Sequence, residues 1–314
     1  MKANEGARLT WEDPNWPRAS RWLSAEPPQH TNSAVSLAVL GIPMNSSSTP
    51  ARFDLAPQAI RSALARYSLF DEDAAIDVGR LVVREFGDVT LSGAYSETNF
   101  SRTVGAIERA RADADCLILL GGDNGITRAG VCALGVPLER CGILTFDAHH
   151  DLRDLDHGLT NGNPIRALLQ DGVPGPQVVQ IGIQPFANSF AYARVAHDAG
   201  ISVATADDVY EEGIQKLVTR ALAYLSEKTD AIYVDLDVDV LDRAFAPACP
   251  GSRPGGLQPW MVRQAARLCG QHERVRMMDI VEVDPTKDVA DTTCLAAASF
   301  FLAFASGMLK RAVK

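Results

Sequence analysis

At 314 residues the chain is long enough to bury a large core, either as one α/β domain or as two smaller ones. Its 39 acidic against 30 basic side chains leave a net charge of −9 with no basic stripe to neutralise phosphates, which argues against a nucleic acid partner. Six cysteines (Cys116, Cys132, Cys141, Cys249, Cys269 and Cys294) form no C-x-x-C pair and have no neighbouring histidine, so neither a zinc knuckle nor a disulfide framework is indicated.

The N-terminal stretch MKANEGARLTWEDPNWPRASRW is polar, carries Trp and Pro, and lacks the apolar run of a signal peptide, so a cytoplasmic location is expected. Residues 1–33 read as an irregular arm and 34–314 as one domain, with no linker, repeat or low-complexity tract. From there β-branched and aliphatic runs alternate with helical patterns. In chain order the pattern predicts a strand at 35–41, helices at 57–67 and 100–113, and strands at 116–121, 142–147 and 178–183. A helix at 189–199, a strand at 201–204 and a helix at 211–227 follow, then a strand at 231–237, a helix at 258–270, a strand at 275–281 and a last helix near 291–312. Its apolar stretch, Leu295 to Leu309, is shorter than the ~20 apolar residues a bilayer requires, so a buried helix is expected and no membrane association. The alternation predicts a single doubly wound, mostly parallel sheet flanked by helices. Acidic and Gly-rich segments fall where strands end, at 121–125, 147–151, 235–242 and 282–285, and ligands of open parallel sheets bind beyond those ends.

Two of these segments carry a chemical signal. In Asp147-Ala148-His149-His150-Asp151 an extended backbone would point Asp147, His149 and Asp151 the same way. Two carboxylates and an imidazole suit Mn²⁺ and, less selectively, Zn²⁺, Ni²⁺ or Fe²⁺; a capped, solvated turn is the alternative. Asp235, Asp237, Asp239 and Asp242 alternate with apolar residues at the end of a buried strand, where ionised carboxylates gather only if cations compensate them. A half-exposed strand with its Asp face in water would show the same alternation. Two such segments together favour a pair of divalent ions that generates hydroxide near neutral pH. Gly121-Gly122-Asp123-Asn124-Gly125 lacks the spacing and lysine of a phosphate loop. The tract from Ala246 to Gly256 is a tight loop of no legible function.

Taken together, GGD at 121–123, DAHHD at 147–151, DVDVLD at 237–242, the AP-x-x-PG-x-x-PGG tract and Asp279 to Pro285 resemble the ureohydrolases: arginases, agmatinases, guanidino-acid hydrolases and formimidoylglutamases. Ala51-Arg52-Phe53 and Pro57 to Arg61 match the family's early loop and helix. The resemblance covers most of the chain and implies an arginase-like fold and a soluble amidine or guanidine hydrolase. By position it implies that Asp147, His149, Asp151, Asp237 and Asp239 ligate two divalent ions, Mn²⁺ first and Ni²⁺ as an alternative, whereas Asp235 matches no ligand. It further implies that Asp151 hydrogen-bonds the attacking hydroxide and that Glu282 receives the cationic amidine; a lone Glu at a strand end is otherwise a surface charge. The family usually has His directly after GGD, and Asn124 stands there instead, which weakens one metal position because an amide oxygen binds more weakly than imidazole.

Asp151-Leu152-Arg153, Asn161 to Arg166 and Gln180 to Ser189 look like the corresponding segments of formimidoylglutamases. Agmatinases have a proton-transferring His where this chain has Asn161. Arg153 is a candidate clamp for a substrate carboxylate through its bidentate fork, with a local salt bridge to Asp154 or Asp156 as the alternative. The resemblance therefore implies hydrolysis of N-formimidoyl-L-glutamate to glutamate and formamide. Two alternatives stay open: a guanidino or biguanide hydrolase, and a non-catalytic subunit paired with an active paralogue. The family's habit of trimers or hexamers implies a homo-oligomer.

Overall fold

The computed structural model describes residues 13–24, 35–47, 50–91 and 96–311. Its centre is an eight-stranded, wholly parallel sheet in the order β4-β1-β5-β10-β9-β6-β7-β8. These strands are β1 (Ser36–Ile42), β4 (Val82–Asp88), β5 (Cys116–Gly121), β6 (Cys141–Phe146), β7 (Val178–Ile183), β8 (Ser202–Thr205), β9 (Ala231–Leu236) and β10 (Val275–Ile280). A short antiparallel pair, β2 (Phe70–Asp71) and β3 (Ile76–Asp77), stands apart. The helices are α1 (Ala19–Ser24), α2 (Ala56–Ala63), α3 (Glu97–Arg111), α4 (Ile126–Cys132), α5 (Pro164–Asp171), α6 (Phe190–Ala199), α7 (Ala206–Glu212), α8 (Ile214–Lys228), α9 (Pro259–Gln271) and α10 (Thr292–Met308).

Alternation along each strand sends side chains to opposite faces. Leu37 and Val39 of β1, Ile118 and Leu120 of β5 and Val234 and Leu236 of β9 pack toward α1, α2 and α7 to α10. Their neighbours Ala38, Leu40, Leu117, Leu119 and Tyr233 pack toward α3 to α6. Both faces are thus covered, which is why β5, β6, β7 and β9 are predominantly apolar and buried at every position, with Thr145, Gln180 and Asp235 as their buried polar exceptions. Among the described residues no helix is long and apolar enough to cross a membrane.

The structure departs from the sequence pattern in a few places. β4, at the sheet edge, exposes four of its seven residues, so its VVREFGD sequence carries no buried run to announce it. The helix expected at 211–227 is broken at Gly213, whose φ of +87 ends α7 and starts α8. α4 and α5 are short helices that the pattern missed. Within the stretch expected to be irregular, α1 buries Ala19 and Leu23, and the Trp22 indole donates to Leu81 O at 3.0 Å; residues 1–12 and 25–34 lie outside the described residues.

Candidate metal centre

β5, β10, β9 and β6 are four consecutive strands in the middle of the sheet, and the segments leaving their carboxyl ends carry Asn124, Glu282, Asp237 with Asp239, and Asp147 to Asp151. The loop after β5 is drawn tight because a side chain at Gly122 would run into the backbone of Met44. Buried Asp123 ties the loop down by accepting the backbone N–H groups of Ser46, Ser47 and Gly125. With that carboxylate turned inward, Asn124 faces the crevice.

The structure brings Asp147, His149 and Asp239 together and sets Asp237 beside Asp239, with Asp151 lining the same cavity, by a different local route from the one anticipated. β6 ends at Phe146, so 147–151 is a turn and no strand; Asp151 reaches the crevice from a left-handed φ of +53. Likewise β9 ends at Leu236, and a 3₁₀ turn at Val238–Val240 carries Asp239 round beside Asp237. The turns are held by the carboxylates themselves: His149 N donates to Asp147 Oδ1 at 2.5 Å, Asp239 N to Asp237 Oδ1 at 2.8 Å, and Ala148 N to Asp239 Oδ1 at 2.9 Å. His149 Nδ1 lies 2.6 Å from Asp239 Oδ2 and 3.6 Å from Asp147 Oδ1.

One donor atom each from Asp147, His149 and Asp239 lies within 4.8 Å of the others. Ligands about 2.0–2.2 Å from a common cation sit roughly 3–4 Å apart, so this set fits a divalent ion, and its oxygen-plus-imidazole chemistry suits Mn²⁺ or Zn²⁺. Asp237 and Asp239 form a second such group with Cys249. Burial and the charge of Asp239 push the Cys249 thiol well above its ordinary value, which leaves it a neutral neighbour. Asn124 adjoins the other side of the cluster: its Nδ2 donates to Asp151 and stands 3.5 Å from Asp147 Oδ2.

The charges show that the protein's own groups do not balance this cluster. Burial, reinforced by Asp239, pushes Asp147 up to about 7, and burial together with neighbouring carboxylates holds Asp151 and Asp237 well above the usual range. Burial opposes the charged form of His149, yet Asp239 and Asp147 outweigh it and raise the ring to about 11. For Asp239 burial is again the opposing effect, and His149 overcomes it to bring the carboxyl below its ordinary value. Divalent cations would supply the charge that protons supply otherwise. Asp235 stays within β9, fully buried, with neither carboxyl oxygen in a geometric hydrogen bond; burial, then nearby Asp279, Asp147 and Asp151, push its carboxyl well above the usual range, and it belongs to neither convergent ligand group.

Above the cluster opens a cavity of about 330 Å³ lined by Asp151, Asp237, Asp239 and Glu282 at its base and by Arg153, Asn161 and Arg253 on its walls. Glu282 is buried at a left-handed φ of +67, a conformation that costs a non-glycine residue about 1 kcal/mol or more. Its Oε1 accepts from Asn124 N at 2.9 Å and from Asn161 Nδ2 at 3.1 Å. Arg153 lies against Gly162, and among the described residues it forms no ion pair with Asp154 or Asp156. Arg253, which carried no signal in the sequence, places a guanidinium nitrogen 2.9 Å from His149 Nε2 and 2.8 Å from Gly251 O. It could have been suspected only as the single cation of the Pro/Gly tract.

An open α/β sheet with a carboxylate-rich crevice beyond its central strands places a candidate divalent-metal site where such sheets bind their ligands, and the relatives of the chain are hydrolases of C–N bonds. The family model described as the arginase family matches residues 35–306, and the chain belongs to that family. The formimidoylglutamase of Halalkalibacterium halodurans is 36% identical over 281 residues, 86% of each chain, and that of Bacillus subtilis is 34% identical over 277 residues, again 86% of each. The crystal structure of the Bacillus subtilis formimidoylglutamase superposes with a TM-score of 0.89 at 30% identity, covering 99% of this chain and 97% of the other.

Proposed function

We propose that the chain hydrolyses N-formimidoyl-L-glutamate to glutamate and formamide, using divalent ions held by Asp147, His149, Asp151, Asp237 and Asp239, with Asn124 as a weaker sixth ligand. Manganese is the first choice and nickel the alternative. The carrying observation is the polarity of one cavity, acidic at its base and bearing two guanidinium groups on its walls. Its relatives named formimidoylglutamase act, by that name, on a molecule with a cationic amidine at one end and carboxylates at the other. Divalent ions supply a hydroxide nucleophile at neutral pH and stabilise charge that develops on the amidine.

The chain's own residues do the rest. Glu282, aimed by Asn124 N and Asn161, receives the amidinium. Asp151 accepts a hydrogen bond from the attacking oxygen. Arg153 and Arg253 pair with the substrate's carboxylates, fixing the amidine carbon over the cluster. Water adds to that carbon, the C–N bond to the glutamate nitrogen breaks, and the amine leaves with a proton. We take residues 34–314 as the catalytic unit and a homo-oligomer in the cytoplasm as the working form.

The test is a product assay for glutamate, formamide, urea and ammonia over a panel of amidines and guanidines, with Mn²⁺ or Ni²⁺ added. Glutamate and formamide are expected; urea would redirect the reading to a guanidine or biguanide substrate. A purified chain that binds no divalent ion would support the non-catalytic subunit that Asn124 suggests. Arg153→Met is expected to lower kcat/KM by roughly one to two orders of magnitude on formimidoylglutamate and far less on a decarboxylated analogue. Equal losses on both would remove the clamp.

A further inference from the structure

Behind Asn124 lies a polar layer that takes no part in the reaction just described. Thr127 in the first turn of α4, Tyr233 of β9 and Asp279 of β10 are all fully buried. Thr127 Oγ1 is 2.8 Å from Asn124 Oδ1 and 2.9 Å from Asp279 Oδ2. Asp279 also accepts the Tyr233 hydroxyl at 2.6 Å and the Leu236 N–H at 3.0 Å. A threonine hydroxyl has a single proton, and here two oxygens claim it.

The claims are unequal. A carboxylate is the stronger acceptor, and although burial raises Asp279, two other donors already hold its oxygens as acceptors. When Thr127 donates its hydrogen bond to Asp279, its lone pairs face Asn124 and accept from the amide's NH₂. The amide then turns its carbonyl oxygen toward Asp147 and Asp151, the direction in which Nδ2 now points. An oxygen aimed at two carboxylates is repelled unless a cation lies between them, and an N–H aimed at such a cation would be repelled in turn. Thr127 can satisfy the amide in either orientation, because it can donate to Oδ1, or accept from Nδ2 while donating its hydrogen bond to Asp279.

We propose that Thr127, backed by Asp279, is a positioning residue that turns the Asn124 carbonyl oxygen onto a divalent ion shared with Asp147 and Asp151. The inference rests on the metal-hydrolase reading above and explains how an amide can serve as a ligand there. Without the hydroxyl, the oxygen-in orientation leaves the amide's NH₂ facing an apolar group, unbonded and buried, and the ligand is lost.

The experiment is a Mn²⁺ titration of the purified full-length chain, read by the electron paramagnetic resonance of free Mn²⁺ and by elemental analysis, in wild type, Thr127→Val and Thr127→Ser. The weaker of two Mn²⁺ affinities is expected to fall roughly 10–100-fold in Thr127→Val, as for other residues that orient a ligand, and to return in Thr127→Ser. The stronger affinity should stay unchanged. In an Asn124→Asp background, where either side-chain atom facing the ion is oxygen, adding Thr127→Val should leave Mn²⁺ binding unaltered. Wild-type affinities in Thr127→Val overturn the proposal, and so does an equal loss in the Asn124→Asp background, which would mean general loosening. A wild-type chain that binds no Mn²⁺ overturns the metal-hydrolase reading itself, a result distinct from either.

Discussion

Beneath α9 and α10 the interior is apolar: Phe300, Phe301 and Phe304 are fully buried, and Trp22 meets Phe301 edge-on at 6.2 Å. At the carboxyl rim of the same sheet the interior is just as inaccessible but holds Asp123, Asp147, Asp237, Asp239, Asp279 and Glu282. The first region lowers the free energy of the fold through area removed from water and close packing. The second works against it, with like charges gathered in low dielectric and with Asp151 and Glu282 at positive φ. A fold can hold such a rim only where the layer beneath is stable enough to offset it, so the two regions should answer differently to substitution.

The largest contrast is expected from Asp237→Ala or His149→Ala. Each removes an inferred ligand, and turnover should disappear; full turnover after thorough chelation would refute the metal-dependent reading. In ion-stripped protein, Asp237→Ala should lower the thermal midpoint far less than a core truncation does, because losing its hydrogen bond to Asp239 N is offset by removing a buried carboxylate held well above its usual pKa. A drop in calorimetry as large as that of Phe304→Ala would mean that the rim stabilises the fold, and the contrast would fail. In the apolar layer, Phe304→Ala should cost about 3–5 kcal/mol in urea unfolding while kcat per folded molecule stays put. Asn124→His sharpens the rim side: elemental analysis should find higher metal occupancy, since an imidazole replaces the amide. Unchanged occupancy would show Asn124 to be an adequate ligand already, or none. The smallest effect belongs to the surface: breaking the exposed Arg140–Asp230 pair by Arg140→Ala should leave the unfolding midpoint within error.

Much of this contrast was legible in the sequence, and the illegible part has a common cause. DAHHD and DVDVLD stood out because charged residues rarely follow buried apolar runs, and the strands feeding them are buried at every position. Strand alternation, expected to converge Asp147, His149 and Asp151, does not do so: both segments leave the strand and converge through turns held by their own carboxylates. Asp235 shares the alternation of Asp237 and Asp239 yet lies inside β9, which no count of spacing distinguishes. Arg253, Cys249 and Thr127 were silent because their positions depend on which loop folds over which strand end, a tertiary fact with no local period. The break at Gly213 was missed because a single glycine within an amphipathic pattern does not reveal whether its φ is positive.

The order of the sheet carries a consequence for the chain as it is made. Among the described residues β10 is the last strand in sequence, yet it sits between β5 and β9 and joins them. Until residues 275–280 leave the ribosome, β4-β1-β5 and β9-β6-β7-β8 are two half-sheets, each with an inner edge of unpaired backbone N–H and C=O groups that invites association with other chains. The crevice straddles that seam, with Asn124 on one side, Asp147, His149 and Asp237 on the other, and Glu282 on the segment that leaves the closing strand. A nascent chain cannot assemble the whole site early; completion of the centre and completion of the sheet are one event, timed by the final strand.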